Sequence, residues 1–208
     1  MFLTVEGIEG AGKSTFIGLL EGELAKRGID FLHTREPGGC ALGRQIRPLL
    51  LDASQKVSGR AELFLFLADR AQHVADTIRP ALESGRWVVC DRYADSTIAY
   101  QGYGRGMEPE ELQRLNDYAT DGLWPDITFL LDLPAEVGLG RALLRNGREG
   151  LTQSEGRFEA EALAFHQRIR EGFLLRASRW PERFRVLDAS QAPETIVAQA
   201  MKYLEPYL

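Results

Sequence analysis

Eight residues near the start of the chain, Gly7-Ile8-Glu9-Gly10-Ala11-Gly12-Lys13-Ser14, constrain it more than any other segment. They fit the pattern G-x-x-x-x-G-K-[ST], with an apolar run at Phe2–Glu6 before them and a helical pattern from Ser14 to Arg27 after them. Glycines let a backbone curl until several N–H groups converge on one point. A helix starting there aims the partly positive end of its dipole at the same point. Such a curl holds a phosphate. Lys13 adds a full charge beside the outer phosphates, and the Ser14 hydroxyl suits Mg2+. The chain has 21 arginines and only four lysines, so a lysine at this position is not surface decoration. Nucleotide-phosphate contacts are expected from Gly7 through Thr15.

The rest of the chain reads as one α/β domain spanning residues 1–208, a length that fits a single unit. A hydrophobic content of 44% excludes a disordered chain, and a net charge of −5 speaks against a nucleic-acid polymer as partner. The longest wholly apolar run is six residues, Leu63–Ala68, against the ~20 that a membrane span needs. The start, MFLTVEG, has no basic stretch before an apolar one, and Cys40 and Cys90 form no C-x-x-C pair. A cytoplasmic protein with reduced thiols is expected.

Five runs read as strands: Phe2–Glu6, Ile29–Thr34, Trp87–Cys90, Ile127–Asp132 and Phe184–Leu187. Helical periodicity covers Ala61–Arg79, Pro109–Thr120, Ala135–Arg145, Arg157–Trp180 and Pro193–Tyr203. Alternation of this kind predicts a five-stranded parallel sheet flanked by helices, a P-loop NTPase fold. The polar, glycine-rich stretch between Arg145 and Arg157 is expected to be a mobile loop. Asp91-Arg92 follows the third strand, where parallel sheets bind ligands. Asp91 suits Mg2+ through water, and Arg92 can grip a phosphate as a fork of donors.

Three more segments narrow the acceptor: Thr34-Arg-Glu-Pro-Gly-Gly39, Phe66-Leu-Ala-Asp-Arg70, and Asp91-Arg-Tyr-Ala-Asp-Ser-Thr-Ile-Ala-Tyr-Gln-Gly102. With the first loop they resemble the thymidylate kinase family, of nucleoside monophosphate kinase type, from Phe2 to about Gln191. The resemblance implies phosphoryl transfer from ATP to dTMP with Mg2+, giving dTDP, in a homodimer. It implies that Phe66 stacks on thymine and that Arg70, a donor only, meets a pyrimidine carbonyl. Thr97 and Gln101 match positions at the base edge, and Tyr100 one against the deoxyribose. Arg35, Glu36 and Pro37 match the acceptor pocket, Ser96 a contact beside the monophosphate, and Arg92 a bridge between acceptor and donor phosphates. Gln191 matches a loop near adenine.

The phosphate loop carries Glu9 where some members of the family carry arginine, so positive charge for the moving group must come from elsewhere. Arg141, Arg145, Arg148 and Arg157 flank the polar loop, and a lid is expected at about 141–157. Alignment through L-D-L-P-A-E-V-G-L favours Arg145, with Arg141 one turn away; Arg157 is expected to contact phosphates. Glu9 is expected near the acceptor sugar or phosphate rather than as a strong base. His33, His73 and His166 lack ligand spacing and read as structural or surface residues. A kinase for deoxynucleosides or other monophosphates is the near rival. A GTPase switch is disfavoured because N-K-x-D is missing, and an inactive scaffold because Lys13, Ser14 and Asp91 are intact.

Overall fold

A computed structural model of the chain describes residues 1–151, 154 and 156–208. Its five strands are β1 (Phe2–Glu6), β2 (Phe31–Arg35), β3 (Trp87–Asp91), β4 (Ile127–Asp132) and β5 (Phe184–Asp188). They form one parallel sheet in the order β2-β3-β1-β4-β5. β1 lies at the centre and is buried throughout, which is why it reads as a continuous apolar run rather than an alternating one. Its two polar members are satisfied there: Thr4 Oγ1 meets Thr128 Oγ1 at 2.8 Å, and Glu6 accepts from the Tyr93 and Ser96 backbones.

Helices cover both faces. They are α1 (Lys13–Lys26), α2 (Ala41–Leu51), α3 (Gly59–His73), α4 (Arg79–Glu83), α5 (Ala94–Thr97), α6 (Pro109–Thr120), α7 (Ala135–Glu149), α8 (Leu163–Arg179) and α9 (Pro193–Leu204). α1 buries Phe16, Ile17, Leu20 and Leu24 against the sheet, where Phe16 meets Phe129 edge-on at 5.6 Å. α8 buries Phe165, Ile169 and Phe173 and packs on the segment Ile98–Gly104. Asp95 accepts from both Arg176 (2.8 Å) and Arg183 (2.5 Å), which ties α5 to α8 and to the start of β5.

Several expectations shift. The long helix expected to stop at Arg79 runs on to Glu83. A π turn at Val74–Ile78 links α3 to α4, with Pro80 just after it in the first turn of α4. α2, which carries Pro48 inside it, is not among the helices that the sequence periodicity predicts. The segment after Asp91, read only as a motif, is helical: α5 continues into a π-helix at Ile98–Gly104. α7 continues past Arg145 to Glu149, so the polar stretch begins later than expected, and α8 starts at Leu163 rather than Arg157. Within that stretch Thr152, Gln153 and Glu155 lie outside the described residues.

Candidate active site

The first loop and the end of β3 stand side by side because β1 and β3 are neighbours in register, Val5 opposite Asp91. This is the switch point of the sheet, where connections leave in opposite directions and a crevice opens. A cleft of about 630 Å³ occupies it.

Gly10 holds φ at +70°, and a Cβ there would lie 2.0 Å from the Gly138 carbonyl oxygen on α7, so only glycine lets the loop pack this closely. α1 starts at Lys13 with no side chain capping its first turn, which leaves its N–H groups to an anion. The Lys13 amine donates to the Gly7 and Ile8 carbonyls at 3.0 Å each. Burial, together with Arg92, pushes that amine down to about 8. Gly10, Gly12, Lys13, Ser14 and Thr15 line the cleft; Gly7, Ile8 and Ala11 form the curl behind it.

Across the crevice Arg92 has φ +68°, a strained value for a non-glycine residue. Its guanidinium donates to the Gly7 carbonyl (3.0 Å), Ser96 Oγ (3.3 Å) and Glu9 Oε1 (3.1 Å), and lies over the Tyr100 ring. The Tyr100 hydroxyl donates to the same Glu9 oxygen. His166 Nδ1 stands 3.3 Å from the other. Burial opposes the Glu9 charge, but His166, Arg92, Lys13 and Tyr100 outweigh it and hold the carboxyl far below the ordinary carboxylate range. Glu9 is therefore an anion that orients Arg92, not a base awaiting a proton. Beneath them Glu6, pushed up to about 7 by burial against the pull of Arg92, accepts from Ser96 Oγ at 2.6 Å. Asp91 Oδ1 is buried with no hydrogen-bond partner among the described residues, and Asp91 and Ser14 both line the cleft. An orphaned carboxylate oxygen beside a phosphate loop fits a hydrated Mg2+.

The other end of the cleft is lined by Arg35, Glu36, Pro37, Phe66, Arg70, Ser96, Thr97, Tyr100 and Gln101, all of which the sequence nominated. Arg70 is buried. It donates to Glu36 (2.8 Å), Thr97 Oγ1 (2.7 Å), Asn116 Oδ1 (2.6 Å) and the Tyr93 carbonyl (3.1 Å). Among the described residues one of its five N–H groups has no acceptor. Burial opposes its charge, but Glu36 and Tyr93 more than compensate and the guanidinium stays protonated. His73 supports the same network from behind, with Nδ1 2.9 Å from Glu36 and Nε2 2.6 Å from Thr34. Two of the three histidines read as structural or surface residues, His73 and His166, are buried and support site residues from behind.

The arginines divide. Arg141 and Arg145 line the cleft, and Arg145 rests on Asn146 (2.9 Å) and Glu159 (3.4 Å) with its side chain half exposed. Burial and the nearby Glu9 push the Glu159 carboxyl up. Arg157, expected at the phosphates, points elsewhere. It donates to the Leu50 carbonyl (2.9 Å) and Glu62 (2.6 Å) and does not line the cleft, because a buried carboxylate captures it first. Gln191 is exposed, bonded to Asp188 and Gln199, and does not line the cleft either. Phe158, which sequence reasoning passed over, does line it. It stands edge-on to Tyr100 at 5.4 Å and 6.3 Å from Phe66.

A family model described as thymidylate kinase matches residues 5–200. The thymidylate kinase of Desulfovibrio desulfuricans is 58% identical over 209 aligned positions, covering 100% of this chain and 96% of that protein. That of Gloeobacter violaceus is 49% identical over 208, covering 100% and 96%. A crystal structure of thymidylate kinase from Ehrlichia chaffeensis matches with a TM-score of 0.76 at 33% identity, covering 98% of both chains.

Proposed function

Because the chain belongs to the thymidylate kinase family, we propose that its cleft transfers the γ-phosphoryl group of ATP to dTMP, giving ADP and dTDP. The observation that carries this reading is one cleft with two unlike ends. A cationic curl at Lys13 suits phosphates, and a walled slot at Phe66, Arg70 and Gln101 suits a pyrimidine. Holding donor and acceptor in line in one enclosed crevice supplies most of what phosphoryl transfer needs. Lys13 and the α1 N-terminus hold the donor phosphates. Arg92, locked by Glu9 and the Gly7 carbonyl, stands between the two ends and bridges donor and acceptor phosphates. Arg141 and Arg145 bring further charge from α7. The dTMP phosphate is already largely dianionic at neutral pH, so no strong base is needed. Ser14 and Asp91 would hold Mg2+, which spreads the negative charge of the phosphates when bound.

Phe66 offers a face to the base, and Tyr100 crowds the sugar where a 2′-hydroxyl would stand. The thymine methyl is worth only ~1–3 kcal/mol in such a pocket. We therefore expect dUMP to be a poor but measurable acceptor and dCMP a far worse one in an assay coupled to ADP release. Equal use of dUMP and dCMP would refute the Arg70 role, and no ADP release with dTMP would refute the reading itself.

We also read the protein as a cytoplasmic homodimer. Among the described residues no helix is long and apolar enough to cross a membrane. Support for the dimer comes from Phe64 on α3, 62% exposed, with Leu42 and Leu49 exposed on the adjoining α2. Light scattering should give twice the chain mass for the native protein and the chain mass for Phe64→Glu; a native monomer would refute the dimer.

A further inference from the structure

Glu62 lies on α3, fully buried and outside the cleft wall. Its Oε1 accepts from Gln101 Nε2 (2.8 Å) and Arg105 Nε (3.1 Å). Its Oε2 accepts from Arg105 Nη2 (3.1 Å) and Arg157 Nη2 (2.6 Å). Burial opposes its charge, yet Arg105, Gln101 and Arg157 outweigh burial and hold it below the ordinary carboxylate range, so it is ionised. An ionised carboxylate only accepts hydrogen bonds. The end of the Gln101 amide that meets it must therefore be the NH2. The Gln101 Oε1 has no donor among the described residues, and Gln101 lines the cleft.

We infer that Glu62 is a positioning residue that sets the hydrogen-bonding polarity of the base slot, by holding Gln101 so that its amide oxygen, and not its nitrogen, faces the acceptor base. The inference rests on the dTMP pocket proposed above. Arg70 lines the same cleft, has four of its five N–H groups bonded among the described residues, and is the donor proposed above for the acceptor base. An acceptor beside a donor matches the N3–H and O4 of thymine or uracil. Cytosine presents the reverse at both atoms, an acceptor at N3 and an amino group at C4. An amide free to rotate by 180° would serve either base, so Gln101 alone cannot discriminate. Two cations, Arg105 and Arg157, keep Glu62 charged, so the discrimination is anchored outside the slot.

The test is kcat/KM for dTMP divided by that for dCMP in purified full-length variants of matched thermal stability. Glu62→Gln allows the facing amide to donate to Gln101 and turn it over. The ratio is expected to fall by about tenfold or more, the scale of one reversed polar contact in a buried site. Exchanging the pair, Glu62→Gln with Gln101→Glu, again aims an acceptor into the slot, and the ratio is expected to return to within about threefold of the native value. Arg105→Ala removes two of the contacts to Glu62 but leaves the amide bond and the Arg157 counter-charge at 2.6 Å, which keeps Glu62 ionised, and the ratio is expected to hold. An unchanged ratio in Glu62→Gln, no recovery in the exchanged pair, or an equal loss in Arg105→Ala would each overturn the inference. Where Glu62→Gln is too unstable to assay, the exchanged pair decides: a retained ratio supports the inference and parity between the two acceptors overturns it. A native protein that phosphorylates neither acceptor would instead refute the proposed activity.

Discussion

Replacing Arg145 by alanine is expected to lower kcat by about 10³-fold or more while dTMP binding stays within a few-fold of native. That corresponds to roughly 4 kcal/mol of barrier or more. The phosphate loop contributes an anion, Glu9, where an arginine could have stood, and that anion is engaged with Arg92 and Tyr100. On the reading proposed above, further charge for the γ-phosphoryl group then comes from α7. Arg145 lines the cleft, and its guanidinium rests on Glu159 and Asn146 with half its surface open. Its contact with the buried Glu159 is long, 3.4 Å, and the Arg145 end is half exposed, so the guanidinium can leave Glu159 for a phosphate. Steady-state kinetics with calorimetric titration of dTMP separates the two effects. Near-normal turnover would remove Arg145 from the mechanism.

Arg70→Leu is expected to lose about 3–5 kcal/mol of stability as well as acceptor selectivity. The guanidinium serves four partners, and the most consequential is Glu36, which is also buried. Leucine fills much of the space but leaves that carboxylate without its main counter-charge, with only His73 beside it. Burial and Glu36 already push Asp69, one residue away, up to about 6, so a second uncompensated charge nearby would be costly. For a chain of this size each kcal/mol moves Tm by ~2–4 °C, giving a drop of roughly 6–20 °C. Thermal unfolding with and without saturating ATP measures it. A drop smaller than about 2 °C would mean that the network is not coupled to the fold as its geometry requires.

Much of the site was readable from order along the chain. The loop from Gly7 to Ser14, the pair Asp91-Arg92 and the segment around Tyr100 are contiguous, and each hangs on the end of one strand. The strands follow from apolar runs, and the parallel order from the helical stretches between them. Helix α2 and the π-helix at Ile98–Gly104 are not among the helices that the periodicity predicts; tertiary packing against α3 and α8 holds both segments helical. Arg157 and Gln191 were placed by resemblance to the family. In space a buried carboxylate binds the first, and Asp188 and Gln199 hold the second.

The acceptor-binding set on later segments followed from the resemblance to the thymidylate kinase family; the sequence by itself determined that a phosphate curl opens the chain and that Lys13 and Ser14 equip it. These are local properties, set by backbone freedom, strand period and residue chemistry. Only the tertiary structure decided what each charged group faces. It set Glu9 against Arg92, Arg70 against Glu36, and Glu62 against Gln101 and Arg157, partners separated by 34 to 95 positions. Buried charges take the orientation their counter-charges impose, and which counter-charge arrives depends on how the helices pack, which no local pattern encodes.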